Sequence, residues 1–294
     1  MKKTKTDKIT DIIIILVLLI LCATFLYPYI NQLAISLNEG SDSARGGIYL
    51  IPRKFTFDNY KALLSDSSYI LAFIVSVSRA LINVVMQGII VFAAAYALTR
   101  RNLKGRKLIT KYLAVPSYLQ AGLIPTYILY RYLGLINSFW VYVLPYSFAF
   151  YNMIIVRSFV QDLPKSLEES ALLDGANEMK ILFKIVLPLS LPVLATVSLW
   201  TLVGQWNDWT TTLYYVTNQK LFPLQYLMMR VIKQGEQLSQ QLMMEGANTD
   251  AVSSTTTESL KSSMIIATSI PIVMVYPFLQ KYFVKGVTLG AVKE

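Results

Sequence analysis

The sequence of 294 residues contains no histidine and a single cysteine, Cys22, which lies inside an apolar run. Disulfides within the chain, His/Cys metal sites and histidine acid–base chemistry are therefore excluded, and most hydrolytic mechanisms go with them. Charge is also scarce: 15% of residues are charged against 54% hydrophobic, where soluble domains carry roughly a quarter charged. No G-x-x-x-x-G-K-[ST] string occurs, so a phosphate-cradling loop and ATP hydrolysis by this chain are not expected. Nothing repeats internally at a fixed period.

What is present is apolar sequence in long runs. They cover roughly residues 12–37, 69–98, 109–132, 139–160, 185–205 and 262–283, each long enough for the about 20 residues that cross a hydrocarbon core. Membrane barrels show short alternating segments instead, and a backbone in lipid must satisfy its own hydrogen bonds, so long runs mean helices. The expectation is an all-α polytopic membrane protein of six transmembrane helices forming one integral-membrane domain over 1–294. The N-terminal Lys-rich head and apolar stretch read as a retained first span, because no small-residue cleavage pattern closes it.

The net charge of +10 is spread in short clusters beside the apolar runs, which argues for membrane orientation and against nucleic acid. Lys2, Lys3, Lys5 and Lys8 precede the first run. Arg100, Arg101, Lys104, Arg106 and Lys107 join the second to the third, and Lys281, Lys285 and Lys293 sit at or after the end of the last. Cytoplasmic flanks are enriched in Lys and Arg, so six spans put both termini in the cytoplasm. The same alternation places 161–184 inside and 38–68, 134–138 and 207–261 outside. Prolines at 28, 116, 125, 145, 188, 192, 271 and 277 kink these helices, which serves packing as readily as gating.

The inside segment 161–184 has explicit punctuation. Pro164 stops the preceding helix, Ser166 with Glu169 forms a capping box for a short new one, and Gly175 permits a turn before helical pattern resumes. Leu172, Ala176, Met179 and Phe183 share a face, expected to pack on the bundle while the acidic side meets a partner. Asp162, Glu168, Glu169, Asp174 and Glu178 crowd this loop against the basic trend of the other inside segments. A positioned acidic helix is what docking to a separate soluble protein calls for, since complementary charge sets register and partner choice; a solvated acidic face is the alternative.

Here the chain resembles a family. Glu169-Ser170-Ala171, Gly175 and Ile185-Val186-Leu187-Pro188 keep the spacing of the E-A-A, three residues, G, nine residues, I-x-L-P loop of bacterial ABC importer permease subunits, with Ser170 in place of the usual alanine. Ile51-Pro52, Phe55-Thr56-Phe57-Asp58-Asn59-Tyr60, Ala94-Ala95-Tyr96-Ala97, Trp206-Asn207-Asp208 and Gln280 to Gly286 extend the likeness along nearly the whole chain, in the maltose-permease G-subunit branch for carbohydrate uptake with its polysaccharide relatives. The resemblance implies a non-catalytic permease subunit in the bacterial inner membrane that imports oligosaccharide or polysaccharide by alternating access. Implied partners are a second permease, two ATPase subunits, a sugar-binding protein and membrane lipid. The chain itself is expected to hold no cofactor, ATP and Mg being bound by the partner ATPase.

By that resemblance 161–184 is a coupling helix seated in the ATPase, its candidate residues being Glu168, Glu169, Ala171, Asp174, Gly175, Ala176 and Glu178. The outside segment 237–256 is assigned to the binding protein, with Gln237, Glu245, Gly246 and Asn248 as contacts. For the substrate pathway the candidates are Arg79, Trp206, Asn207 and Asp208. Arg79 in a span must be paired, face the bundle or snorkel, and Trp200, Trp206 and Trp209 suit either an interfacial belt or sugar stacking. The rival reading is an ion-coupled secondary transporter of a small solute. Its ionisable groups near the midplane and inverted repeats are not apparent in the sequence.

Overall fold

The computed structural model describes the backbone of residues 5–100, 102–119, 121–245 and 257–291. Among the described residues the chain is helical, with one isolated β-bridge between Asn38 and Phe55. Three helices among the described residues are long and apolar enough to cross a membrane: Lys8–Ser36 within the Lys5–Ser36 helix, Ser67–Thr99, and Glu258–Val275 within Thr257–Ala291. Two bent pairs qualify jointly, Phe139–Tyr146 with Phe150–Asp162 at 45° and Glu178–Leu189 with Leu191–Asn207 at 71°.

The expectation of one continuous helix over 109–132 is corrected. Two helices, Arg106–Tyr118 and Leu123–Tyr132, stand there. Gly122 between them has φ +82°, a left-handed backbone no helix continues through. The runs at 139–160 and 185–205 are broken as well. Pro145 sits in the 3-10 turn Leu144–Tyr146; Pro188 follows a π-helical stretch, Leu182–Val186, and Pro192 opens Leu191–Asn207. A proline lacks the N–H and crowds the carbonyl four residues back, so the ladder gives way just before it.

The chain divides into two compact units. In residues 1–70 with 227–271, Asn38 is a buried hub. Its Nδ2 donates to Asp42 Oδ2 and Ser43 Oγ, both at 3.0 Å, and its Oδ1 accepts from the Lys54 amide at 2.7 Å. Asn59, buried beside it, donates to the Ser36 and Asn38 carbonyls at 3.0 and 2.9 Å. These bonds take up the backbone groups left over where the Lys5–Ser36 helix ends. Asp42 also receives Arg53 Nε at 3.0 Å, and Ser262 Oγ donates to Gln32 Oε1 at 2.7 Å.

In residues 71–226 with 272–294 the core joins Val91, Phe92 and Ala95 of Ser67–Thr99 to Met153 and Val156 of Phe150–Asp162 and to Ile181, Val186, Val193 and Val197. One face of Ser67–Thr99 is polar yet buried: Ser76, Arg79, Asn83 and Gln87 recur at helical spacing. Each meets backbone elsewhere in the unit. Ser76 Oγ accepts from the Leu224 amide at 2.8 Å, Asn83 Nδ2 donates to the Tyr142 carbonyl at 2.6 Å, and Gln87 Nε2 donates to the Tyr146 carbonyl at 2.8 Å. The two tyrosine carbonyls end 3-10 turns, where the α-helical partner is missing, and the amides supply it.

Candidate functional site

The segment 161–184 folds as an elbow. Pro164, with φ −61° and extended ψ, starts the helix Lys165–Leu173, and no side chain caps it. The capping box expected from Ser166 and Glu169 is therefore corrected: the fixed proline φ begins the helix at Lys165, leaving Ser166 inside the first turn. The other end follows expectation. Gly175 has φ +76°, its amide bonds to the Leu172 carbonyl at 3.0 Å, and the Ala176 amide bonds to the Ala171 carbonyl at 2.9 Å. That paired pattern is a Schellman cap, which requires the left-handed residue. Asn177 then caps Glu178–Ile181 by accepting from the Lys180 amide at 2.8 Å.

Ala171 and Ala176, joined by this cap, are the elbow's anchors on the core. Of the apolar face expected to pack on the bundle only Ala176 does: Leu172, Met179 and Phe183 are exposed, as are Leu167 and Leu173. The turn at Gly175 rotates the second helix, so spacing that assumed one continuous helix lost its register. Glu169, Asp174 and Glu178 are exposed on the same elbow. Glu168 is drawn inward and pairs with Arg100, whose guanidinium lies 4.2 Å from the centre of the Tyr96 ring. The elbow thus presents carboxylates and large apolar side chains together.

A second group gathers two of the residues named for the pathway. The Arg79 side chain is fully buried; it donates to the Asp208 carbonyl, stands 3.6 Å from Asp208 Oδ2 and lies 5.0 Å from the Tyr142 ring centre. Asp208 Oδ1 accepts from Thr210 Oγ1 at 2.8 Å and from the Thr210 and Thr211 amides at 3.1 Å, fixing the start of the helix Thr210–Tyr215. Trp206 is buried with its ring edge-on to Phe73, and Asn207 is exposed. Gln237 is exposed on the helix Leu224–Glu245; nothing of the Glu245 side chain is described, and Gly246 and Asn248 lie outside the described residues.

Beside Asp208 is a cavity of about 320 Å³ lined by Gln87, Tyr146, Asn152, Trp200, Thr201 and Gln205. The sequence reading missed Gln87, Asn152, Thr201 and Gln205. Only Gln87 carries a signal in the sequence, falling eight residues after Arg79 on the same helix face; Asn152, Thr201 and Gln205 join it through the fold.

Long apolar helices with prolines at their breaks define an integral membrane protein, and a capped, exposed elbow projects from its core. The chain belongs to the family of binding-protein-dependent transport system inner membrane components, whose profile matches residues 69–289. It is thus the non-catalytic membrane component of such a system. It is 33% identical to Protein LplC of Bacillus subtilis, over 100% of this chain and 98% of that one. It is also 33% identical to the polygalacturonan/rhamnogalacturonan transport system permease protein YtcP of the same organism, over 98% and 99%. Among solved structures, a chain of a bacterial ABC transporter involved in import of the acidic polysaccharide alginate superposes with a TM-score of 0.84 at 27% identity, covering 96% of this chain and 99% of that one.

Proposed function

We propose that this chain is one of two permease subunits of an ATP-driven importer of oligosaccharides or polysaccharides. It forms half of the pathway with a second permease and works with two ATPase subunits, which bind ATP and Mg, and an extracytoplasmic sugar-binding protein. The saccharide class is supported by the polysaccharides named for YtcP and for the alginate transporter. In this reading six spans cross the membrane with both termini in the cytoplasm. The helix pair Arg106–Tyr118 and Leu123–Tyr132 forms one broken span, and the two bent pairs one each.

The observation that carries the coupling role is the elbow's exposed composition together with its attachment to the core. Exposed Leu172, Leu173, Met179 and Phe183 in water would be a liability unless covered. Exposed Glu169, Asp174 and Glu178 add charge that selects a basic cleft. Ala171 and Ala176 tie the elbow to the core helices, so a push on it moves Glu178–Leu189 and, through the 71° bend, the span beyond. ATPase closure then rocks the bundle between outward and inward openings, a rigid-body transmission through packed helices.

The test is copurification of this chain with its ATPase and second permease, together with ATP-driven uptake of oligosaccharide into proteoliposomes. A Glu169→Lys/Gly175→Pro variant is expected to insert in the membrane but lose ATPase binding and uptake. Normal uptake by that variant would remove the elbow as the coupling site.

A further inference from the structure

The cavity next to Asp208 has a composition unusual for a membrane helix bundle. Trp200, Thr201, Gly204 and Gln205 stand on one face of Leu191–Asn207. A cavity of about 320 Å³ is at the low end of small-ligand sites, a fit for one ring and not for a long chain. At Gly204 nothing lies within 4 Å of where a Cβ would be, so the hollow reaches the helix backbone.

Three amides converge on it. Gln87 Oε1 accepts from Asn152 Nδ2 at 2.8 Å and from the Thr201 hydroxyl. Gln87 and Asn152 each spend one amide hydrogen in these bonds and in the bond to the Tyr146 carbonyl, leaving one donor apiece. Gln205 is only 5% exposed, and its Oε1 has no hydrogen-bond partner. A buried orphan acceptor is costly in a low-dielectric interior and asks for a hydroxyl. Trp200, 42% exposed and stacked on Tyr151 with centroids 6.2 Å apart, offers its face at the rim. The negative face of an indole matches the C–H face of a pyranose.

Charge narrows the ligand. Among the described lining residues Asp208 is the sole carboxylate, and no Lys or Arg lines the cavity; Arg79 is sealed behind Asp208 with a fully buried side chain. A uronate entering here would meet a carboxylate and find no cation. We propose that this cavity is a transit subsite for one uncharged pyranose ring, with Trp200 as platform, Gln205 Oε1 as hydroxyl acceptor and Gln87 and Asn152 as donors. The proposal rests on the saccharide-importer reading.

The test uses the assembled transporter with its binding protein in proteoliposomes, offered a mixture of neutral (galactan, arabinan, starch) and acidic (galacturonan, alginate) oligosaccharides of two to six rings, uptake of each read by mass spectrometry. The parent is expected to take neutral species ahead of acidic ones. Trp200→Ala and Gly204→Leu should lower neutral uptake at least tenfold with ATPase copurification unchanged, and Gly88→Ala, also in open space, should match the parent. Uptake by both cavity variants within twofold of the parent, or acidic species ahead of neutral, overturns the subsite while leaving the importer reading intact; no uptake of any saccharide by the parent removes both. As a measurement independent of variant folding, Gly204→Cys in a Cys22→Ser background should react with a small water-soluble methanethiosulfonate, at least fivefold more slowly with the neutral oligosaccharides present. A labelling rate unaffected by them also overturns the proposal.

Discussion

Arg100, just past the end of the Ser67–Thr99 helix, pairs with Glu168 in the first turn of the elbow helix, so two segments far apart in sequence are joined. The side chains are 29% and 26% exposed, and at that exposure solvent screens much of the attraction. A double-mutant cycle of Arg100→Ala and Glu168→Gln on thermal unfolding of the detergent-solubilised protein is expected to give a coupling of about 0.5–1 kcal/mol. The single Arg100→Ala change also removes packing on Tyr96 and should cost more than Glu168→Gln. Equal losses would show that the ring contact contributes nothing.

At Gly175 the backbone conformation and the space around it make separable demands. With φ +76° and nothing within 4 Å of an added Cβ, Gly175→Ala meets strain and no clash. The expected loss is about 1 kcal/mol of local stability, read as faster amide exchange over 171–176 with the fold retained. Gly175→Asn, which tolerates the left-handed region, should lose less. A larger loss for Asn than for Ala would mean that the Schellman cap is not what holds the elbow.

The helical class, the positions of the apolar runs and the Gly175 turn were legible because each depends on local chemistry: run length, proline and left-handed φ. The breaks between the helices Arg106–Tyr118 and Leu123–Tyr132 and at Ser190 were not. Proline marks strain without saying whether neighbours absorb it as a gentle kink or a 71° bend. The apolar elbow face was read at one helical period across a turn that resets it, so Met179 and Phe183 were sent to the wrong side. Arg79 stands out by charge, whereas Asn83 and Gln87 on the same face carry no charge to single them out. Their carbonyl partners at Tyr142 and Tyr146 are visible only in three dimensions.

Arg79 and Asp208 should behave as a unit. Removing one member of a buried pair strands the other, at roughly 3–5 kcal/mol, so Arg79→Leu is expected to lower the unfolding temperature sharply. The loss should show as reduced monodisperse protein on size-exclusion chromatography after heating. Arg79→Leu/Asp208→Asn leaves no net charge behind and should recover more than half of the loss. A double variant no more stable than Arg79→Leu would mean that shape and the bond to the Asp208 carbonyl, not charge, dominate.

The hydrogen-bonded hub at Asn38 makes a pH prediction of definite sign. Asp42 is held below the ordinary carboxylate range, first by the hydrogen bond from Asn38 and then by Arg53, against a desolvation that pushes the other way. A carboxyl with a depressed folded-state pKa stabilises the fold above its unfolded value of roughly 3.9, and that contribution is lost as pH falls through the lower folded value. Glu39, Asp58 and Asp66 are depressed too, so they act in the same direction. Thermal stability should therefore be flat from neutral pH down to about 5 and fall below it. Asn38→Ala removes the largest cause of the Asp42 shift and also strands the Lys54 amide, so it should lower stability at neutral pH and make the acid-side fall shallower. A variant whose acid-side slope matched the parent's would show that the Asn38–Asp42 bond does not set the response, and that the remaining carboxylates carry it.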